Sequence, residues 1–263
     1  MSKSSIWPDL DGLARVSRLA DRVEIKVIVP EHAHEQILAA LRSGRDARTR
    51  TLYYLDTPDL QLARCGVVVR ARHLGGGSGR CDSVVKLRRS GPAVLPGPVL
   101  RSANLRTEID ALPGLSLWSA ALTGSVRPPV LRAATRGRLP LSTLLSAEQS
   151  AFFTSCTGGE LRVEDLVVHG PVTVTRMPTG TAGSGKMMTV ESWLYADGTR
   201  LLEVSTKCAA ARAVRVARET EMFLGEHGVD RLGPQETKTR VTLAHLTRVS
   251  TAQGGLAAPA ARV

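Results

Sequence analysis

Short runs of alternating apolar and polar residues recur along the chain. In residues 22–29 (RVEIKVIV), Arg22, Glu24 and Lys26 fall on one face of a strand and Val23, Ile25 and Val27 on the other. Residues 67–73 (VVVRARH) set Arg70 and Arg72 against Val69 and Ala71. Residues 83–89 place Val84, Lys86 and Arg88 on one side, and residues 106–110 do the same with Arg106, Glu108 and Asp110. The strand pattern returns over 165–176, interrupted at Gly170 and Pro171. It continues over 188–195 and 200–207, two strands joined through Asp197-Gly198, a strong hairpin signal. The second of these aligns Leu201, Glu203, Ser205 and Lys207. Residues 236–243 (ETKTRVTL) predict a closing strand with Lys238 and Arg240 on one face.

Helical spacing is rarer. Pro30 and Glu31 suit a helix start, Ala33, Ile37, Leu38 and Leu41 continue it, and Ser43-Gly44 ends it. Residues 117–124 (LWSAALTG) and 147–156 read as short helices, and 208–225 as an amphipathic one with Ala213, Val216, Ala217, Phe223 and Leu224 on its apolar face. Residues 1–20 predict a flexible or loosely docked arm, 21–246 one domain, and 247–263 a disordered tail rich in Ala and Gly.

The most organised stretch is 53–72, YYLDTPDLQLARCGVVVRAR. A strand ends at Asp56, Thr57-Pro58-Asp59 turn the chain, a helical turn follows, and Gly66 stops it before the strand that carries Arg70 and Arg72. One charged strand face usually means a solvated sheet. Here most strands have one, and several mix carboxylates with lysine or arginine. A closed barrel would turn these faces inward and leave the apolar faces outside, under helices. Two like charges ~6 Å apart at an effective dielectric near 20 repel by about 3 kcal/mol, so such a lumen suits a bound polyanion.

Composition narrows the partners. The 263 residues carry a formal net charge of +11, which favours an anion, either a polyphosphate-bearing small molecule or nucleic acid. Aromatic residues make up only 3%, which argues against binding single strands by base stacking. No apolar run reaches the ~20 residues of a membrane span and the N-terminus lacks a signal-peptide core, so a cytoplasmic protein without a membrane partner is expected. Cys65, Cys81, Cys156 and Cys208 have no CxxC spacing and read as reduced thiols, and His32 and His34 as surface residues. Residues 180–187 (GTAGSGKM) come near a phosphate-binding loop. Met187 replaces the hydroxyl that would hold magnesium, and a strand follows, so a plain loop is expected. Arg132, Arg136 and Arg138 form a basic cluster, read equally as an anion entrance or as a solvated helix face.

The 53–72 stretch resembles the segment "FDTPDL…L…G…LRVR" of the CYTH superfamily, the triphosphate tunnel metalloenzymes, and the similarity extends over roughly residues 23–243. The resemblance implies an α+β fold around a closed antiparallel barrel of about eight strands, whose tunnel holds a triphosphate and a divalent cation. Arg70, Arg72, Lys86, Arg88, Arg106, Arg176 and Lys238 match its phosphate-binding positions. Glu24, Glu203 and Glu108 match its acids for Mg2+ or Mn2+, and Lys26 its lysine that orients or deprotonates water. Arg22 and Ser205 stand where the family carries further glutamates. The implied activity is metal-dependent triphosphate hydrolysis. The alternatives are a non-catalytic polyphosphate- or nucleotide-binding module, an adenylate cyclase, or a nucleic-acid-binding protein using the same charge outside the barrel.

Overall fold

The computed structural model describes residues 5–40, 47–75, 79–180, 187–229 and 232–254. Nine strands close into a barrel: β1 (Arg22–Val29), β2 (Arg48–Asp56), β3 (Val67–His73), β4 (Cys81–Arg89), β5 (Leu105–Leu112), β6 (Leu115–Val126), β7 (Val167–Gly180), β8 (Met187–Leu194) and β9 (Arg200–Ala209). Around the barrel they run β1-β5-β6-β4-β3-β2-β7-β8-β9 and back to β1. Every pairing is antiparallel except β1 with β5, where Glu24 lies opposite Asp110. The expected barrel is therefore present, with nine strands and one parallel seam.

Its apolar strand faces point outward. Val23, Ile25, Val69, Val85, Ile109, Leu122 and Val204 pack beneath the helices as the main core. These helices are α1 (Leu10–Ser17), α2 (His34–Ala40), α3 (Gln61–Arg64), α4 (Gly97–Leu100), α5 (Pro128–Ala134), α6 (Ala147–Thr157) and α7 (Ala213–Glu226). At the 53–72 stretch, the Asp56 carboxylate accepts from the amides of Thr57, Leu62 and Ala63, which ties strand, turn and α3 together. Gly66 has φ +73°, and a Cβ there would lie 2.4 Å from the Arg88 carbonyl oxygen, so the position requires glycine. In α6, Ser146 and Gln149 form a capping box, and the Gln149 amide also donates to the carbonyls of Ser83 and Leu122, fixing the helix on the barrel wall.

Several elements differ from the sequence reading. Residues 117–124, expected as a helix, belong to β6. Their small Ala and Ser residues gave no clear period, but burial of Trp118, Ala120 and Leu122 in the outer core shows period two. The expected closing strand over 236–243 is the start of a helix, α8 (Lys238–Gly254). Its Thr and Val residues favour strands by propensity, and tertiary packing overrides that preference. As a helix it turns Lys238, Thr239, Thr242 and Leu243 inward and leaves Arg240 exposed beside Glu236, at 3.5 Å. The break foreseen at Gly170 and Pro171 is an irregularity in the β2–β7 register, within a continuous β7.

Within the expected arm, α1 is docked: Trp7 is buried, and the Ile6 amide donates to Glu221 on α7. His34, expected at the surface, is buried with its ring Nε2 3.0 Å from the Val29 carbonyl. The four cysteines are free thiols. The helix stop at Ser43-Gly44, residues 181–186 of the near phosphate loop, and residues 255–263 of the tail lie outside the described residues. Among the described residues no helix is long and apolar enough to cross a membrane.

Candidate functional site in the barrel lumen

The lumen has two ends of different chemistry. At one end α8 packs into the barrel against Leu52, Tyr54, Val172, Val174, Trp193, Tyr195 and Leu201, and contributes Leu243. Thr242 is wholly buried and bonds Tyr195 at 2.9 Å, and Arg88 reaches the Thr239 hydroxyl at 3.1 Å. This end is a packed floor. Away from α8 the inward positions become charged.

Three carboxylates meet there. Glu24, Glu108 and Asp110 each offer an oxygen, and these oxygens lie within 4.8 Å of one another. Strand pairing explains the meeting, since Glu24 sits opposite Asp110 and Glu108 shares Asp110's face of β5. On β6 the inward residues facing them, Ser119 and Ala121, are small, so Lys86 and Arg88 of β4 can reach across to β5. Lys26 lies 2.9 Å from Glu24 and 2.8 Å from Asp110. Lys86 is 2.7 Å from Asp110 and 3.4 Å from Glu108, and Arg88 is 3.1 Å from Asp110. Lys207 is 2.6 Å from Glu108 and 3.6 Å from Glu24.

Burial alone would raise the Glu24 carboxyl, but Lys26 and Lys207 override it and hold it down to about 2. Burial opposes ionisation of Asp110 too, and Lys26, Lys86 and Arg88 keep it well below the ordinary range. The two buried lysines diverge. Desolvation would lower Lys26, yet Asp110, Glu24 and Glu203 raise it well above its usual value. Lys86 is brought down to about 8 by burial, with Arg88 and Lys26 as cationic neighbours and only partial compensation from Asp110.

A second carboxylate pair faces α8. The Lys238 ammonium lies 2.6 Å from both Glu191 and Glu203, and 5.3 Å from the Trp193 ring centre. One ammonium cannot fully compensate two buried acids. Glu191, against its burial, is held at about 2 by Lys238, while Glu203 is pushed up by burial in spite of Lys238.

Arginines line the remaining wall. Arg72 makes a two-pronged bond to Asp82, 2.8 and 2.6 Å. Arg176 bonds Thr189 and stands 3.7 Å from Glu191. Arg50 and Arg70 are different: the Nε of each is out of solvent and without a hydrogen-bond partner. Burial, and then the neighbouring Arg72, bring Arg70 down to about 10. Two guanidinium groups held this way, beside further cations, present donors that the oxygens of an anion can pair with.

The sequence-predicted residues are therefore distributed as follows. Lys26, Glu24, Glu108, Lys86 and Arg88 form one cluster. Glu203 and Lys238 form another, and Arg70, Arg72 and Arg176 line the wall. Arg106 is exposed and donates to the carbonyls of Ala103 and Leu105, away from the clusters. Arg22 is exposed at the strand end, while Glu24 is engaged by lysines. Arg132, Arg136 and Arg138 are exposed, on or just after α5. Asp110, Lys207, Glu191, Asp82 and Arg50 were not singled out as site residues. Alternation already placed Asp110 beside Glu108 and Lys207 beside Glu203. Glu191 shares a face with Thr189 and Trp193, but within an otherwise apolar run.

The carboxylate set suits a hard divalent cation in donor type and spacing. Glu24, Glu108 and Asp110 are the residues that would hold it, and Glu203 lies outside that set.

Among solved structures, the chain is similar to HpAC1, a candidate adenylyl cyclase from Hippeastrum described as having a dominant triphosphatase activity. Identity is 17%, the alignment covers 85% of this chain and 96% of that one, and the TM-score is 0.59. A candidate adenylate cyclase from Bacillus halodurans is similar over 84% of this chain and 96% of its own, at 13% identity and TM-score 0.56. No family model and no curated protein sequence matches. The likeness is one of fold, that of the closed barrel described above.

Proposed function

We propose that the lumen binds a triphosphate-bearing small molecule, admitted from the end opposite α8, and hydrolyses its terminal phosphoanhydride with a divalent cation, Mg2+ or Mn2+. The observation that carries the reading is the pair Arg50 and Arg70, whose Nε atoms are out of solvent and unbonded; Arg50 lies close to Arg72 and Arg176, and Arg70 to Arg72 and Arg88. Leaving such donors unpaired costs on the order of 1–3 kcal/mol each, and phosphate oxygens would pair with them. The triphosphatase activity described for HpAC1 agrees with this ligand class.

In this reading Arg50, Arg70, Arg72 and Arg176 hold the phosphates in line, and Lys86 and Arg88 meet charge that develops on the reacting group. A cation held by Glu24, Glu108 and Asp110 would supply Lewis acidity at phosphate oxygens. Lys26 stays an ammonium, because three acids raise it, so its role is to orient water and phosphate by donation. Lys86, brought down to about 8 and still mostly an ammonium at pH 7, donates to the phosphate likewise, and the proton of the attacking water ends on the released inorganic phosphate. Water attacks the terminal phosphorus, the bridging P–O bond breaks, and inorganic phosphate leaves along with the shortened chain.

The test is phosphate release from inorganic triphosphate, thiamine triphosphate and nucleoside triphosphates, each with Mg2+ and with Mn2+. Thermal melting with inorganic triphosphate alone runs beside it. Release with either metal is expected. A melting temperature unmoved by millimolar triphosphate, together with no release, rejects the proposal, and cyclic nucleotide as the main product assigns cyclisation instead. One observation favours a second reading, metal-free binding without turnover: each acid of the set is already engaged by lysine.

A further inference from the structure

The contacts around the carboxylate set form a closed circuit. Lys26 bridges Glu24 and Asp110, Lys86 bridges Asp110 and Glu108, and Lys207 bridges Glu108 back to Glu24. Acids and lysines alternate around it, and Arg88 adds a further cation on Asp110, so the carboxylates are balanced before any metal arrives. A divalent cation entering this ring would meet ammonium groups where it requires oxygen donors, and at close range in a shielded site that repulsion is strong.

The lysines are not equivalent. The side chains of Lys26 and Lys86 are 7% exposed, whereas that of Lys207 is 53% exposed. Expelling either buried lysine would strip Asp110, only 1% exposed, of a direct partner. Lys207 touches only the two acids on the solvent side of the ring, and its ammonium can return to water at little cost. Strand pairing puts it there, since Lys207 on β9 lies directly opposite Glu24 on β1.

We propose that Lys207 is a displaceable counter-cation that guards the carboxylate set: it closes the charge ring in the metal-free chain and swings out to solvent when a divalent cation enters. Glu24 and Glu108 are then freed together, and the displaced ammonium is left at the lumen edge, where it can meet an incoming phosphate. The inference rests on the proposed metal-assisted reading of the same site. It adds that metal affinity is set by competition with a side chain of this chain.

The test measures Mn2+ binding by electron paramagnetic resonance, without triphosphate, in wild type, Lys207→Met, Lys207→Gln and Lys207→Arg. Met and Gln should tighten Mn2+ binding roughly tenfold or more, because the competitor is gone, and Arg should leave it weak. Two neutral replacements guard against one that misfolds, and a half-exposed position tolerates both. Unchanged or weaker Mn2+ binding in a folded neutral variant overturns the proposal. Thermal melting of wild type with inorganic triphosphate alone separates the two readings. A shift there, with unchanged Mn2+ affinity in the variants, removes the guard and keeps triphosphate binding. No shift, with tightened Mn2+ binding, keeps the guard and removes the triphosphate reading.

Discussion

On β9 the inward positions run Leu201, Glu203, Ser205, Lys207, and on β2 they run Tyr54, Leu52, Arg50. Following either strand away from α8 takes the lumen from apolar contact to charge. Both halves obey the same alternation, and they differ in what closes them. The half under α8 is filled by Trp193, Tyr54 and Leu243 and gains stability from burial of apolar surface. The other half holds buried charges, whose desolvation offsets most of what their pairing returns. The floor is thus built to hold the barrel shut, and the charged half, in the function proposed for it, to exchange partners with a ligand. Lys238 joins them: it belongs to the helix of the floor, and its ammonium ends on Glu191 and Glu203.

Acid should break the charged half first, with the largest effect. Glu24 and Glu191 are held at about 2 in the folded chain against an ordinary value of 4.5. The unfolded chain therefore binds more protons between those limits, and stability falls as pH drops through the window, by on the order of 3 kcal/mol for each group. Glu203, raised above 4.5, works in the opposite sense above that value, so the steep loss begins only below it. Urea midpoints at pH 4.5, 3.5 and 2.5 check this, and a flat series would mean that lysines do not control these acids.

Trp193→Ala strikes the floor. Removing a wholly buried indole should cost about 3–5 kcal/mol in urea unfolding. Lys238→Met tests the link. It keeps the volume and the contact with Trp193 but leaves both Glu191 and Glu203 without its ammonium, so a loss of about 3 kcal/mol at pH 7 is expected. The loss should shrink when Glu191→Gln is added, because only Glu203 is then left of the two stripped acids. A double variant no more stable than Lys238→Met would show that the lysine acts through α8 packing alone.

The charged half was the more legible in the sequence, for a physical reason. Charged residues recurring on the same face of β1, β3, β4, β5 and β9 are rare unless the face has work to do, so Glu24, Lys26, Arg70, Lys86 and Glu108 stood out. The floor stayed hidden because Leu52, Tyr54 and Trp193 face inward from strands that also bury residues outward, as β2 does with Leu55. Period two is erased in such a strand, and Glu191 was lost with it. The helix α8 was misread because Thr and Val suit strands. Its inward set, Lys238, Thr239, Thr242 and Leu243, has helical spacing but only one apolar member, so no amphipathic stripe announced it. Resemblance carried the phosphate and metal roles onto single positions. It could not reveal that Asp110 completes the carboxylate set, which depends on how β5 pairs with β1, or that Arg106 turns to the carbonyls of Ala103 and Leu105 instead of the clusters.

The smallest expected change in stability is also the sharpest contrast between the halves. Arg70→Met replaces a guanidinium whose Nε lacks solvent and partner, and which burial and Arg72 already bring down to about 10, with a neutral side chain of similar length. Removing that charge should leave stability unchanged or raise it by about 1 kcal/mol, the reverse of Trp193→Ala. The ligand response should move the other way. Wild type with inorganic triphosphate at 100 times its dissociation constant gains ~2.7 kcal/mol, and the variant should lose most of that gain, because the unpaired donor of Arg70 was waiting for the anion. If Arg70→Met instead destabilises the free chain by 2 kcal/mol or more and keeps the triphosphate response, Arg70 is a structural cation of the wall. The charged half would then be held together as tightly as the floor, and the exchange of partners assigned to it would have to begin elsewhere, with Arg72 leaving Asp82 as the next arginine to test.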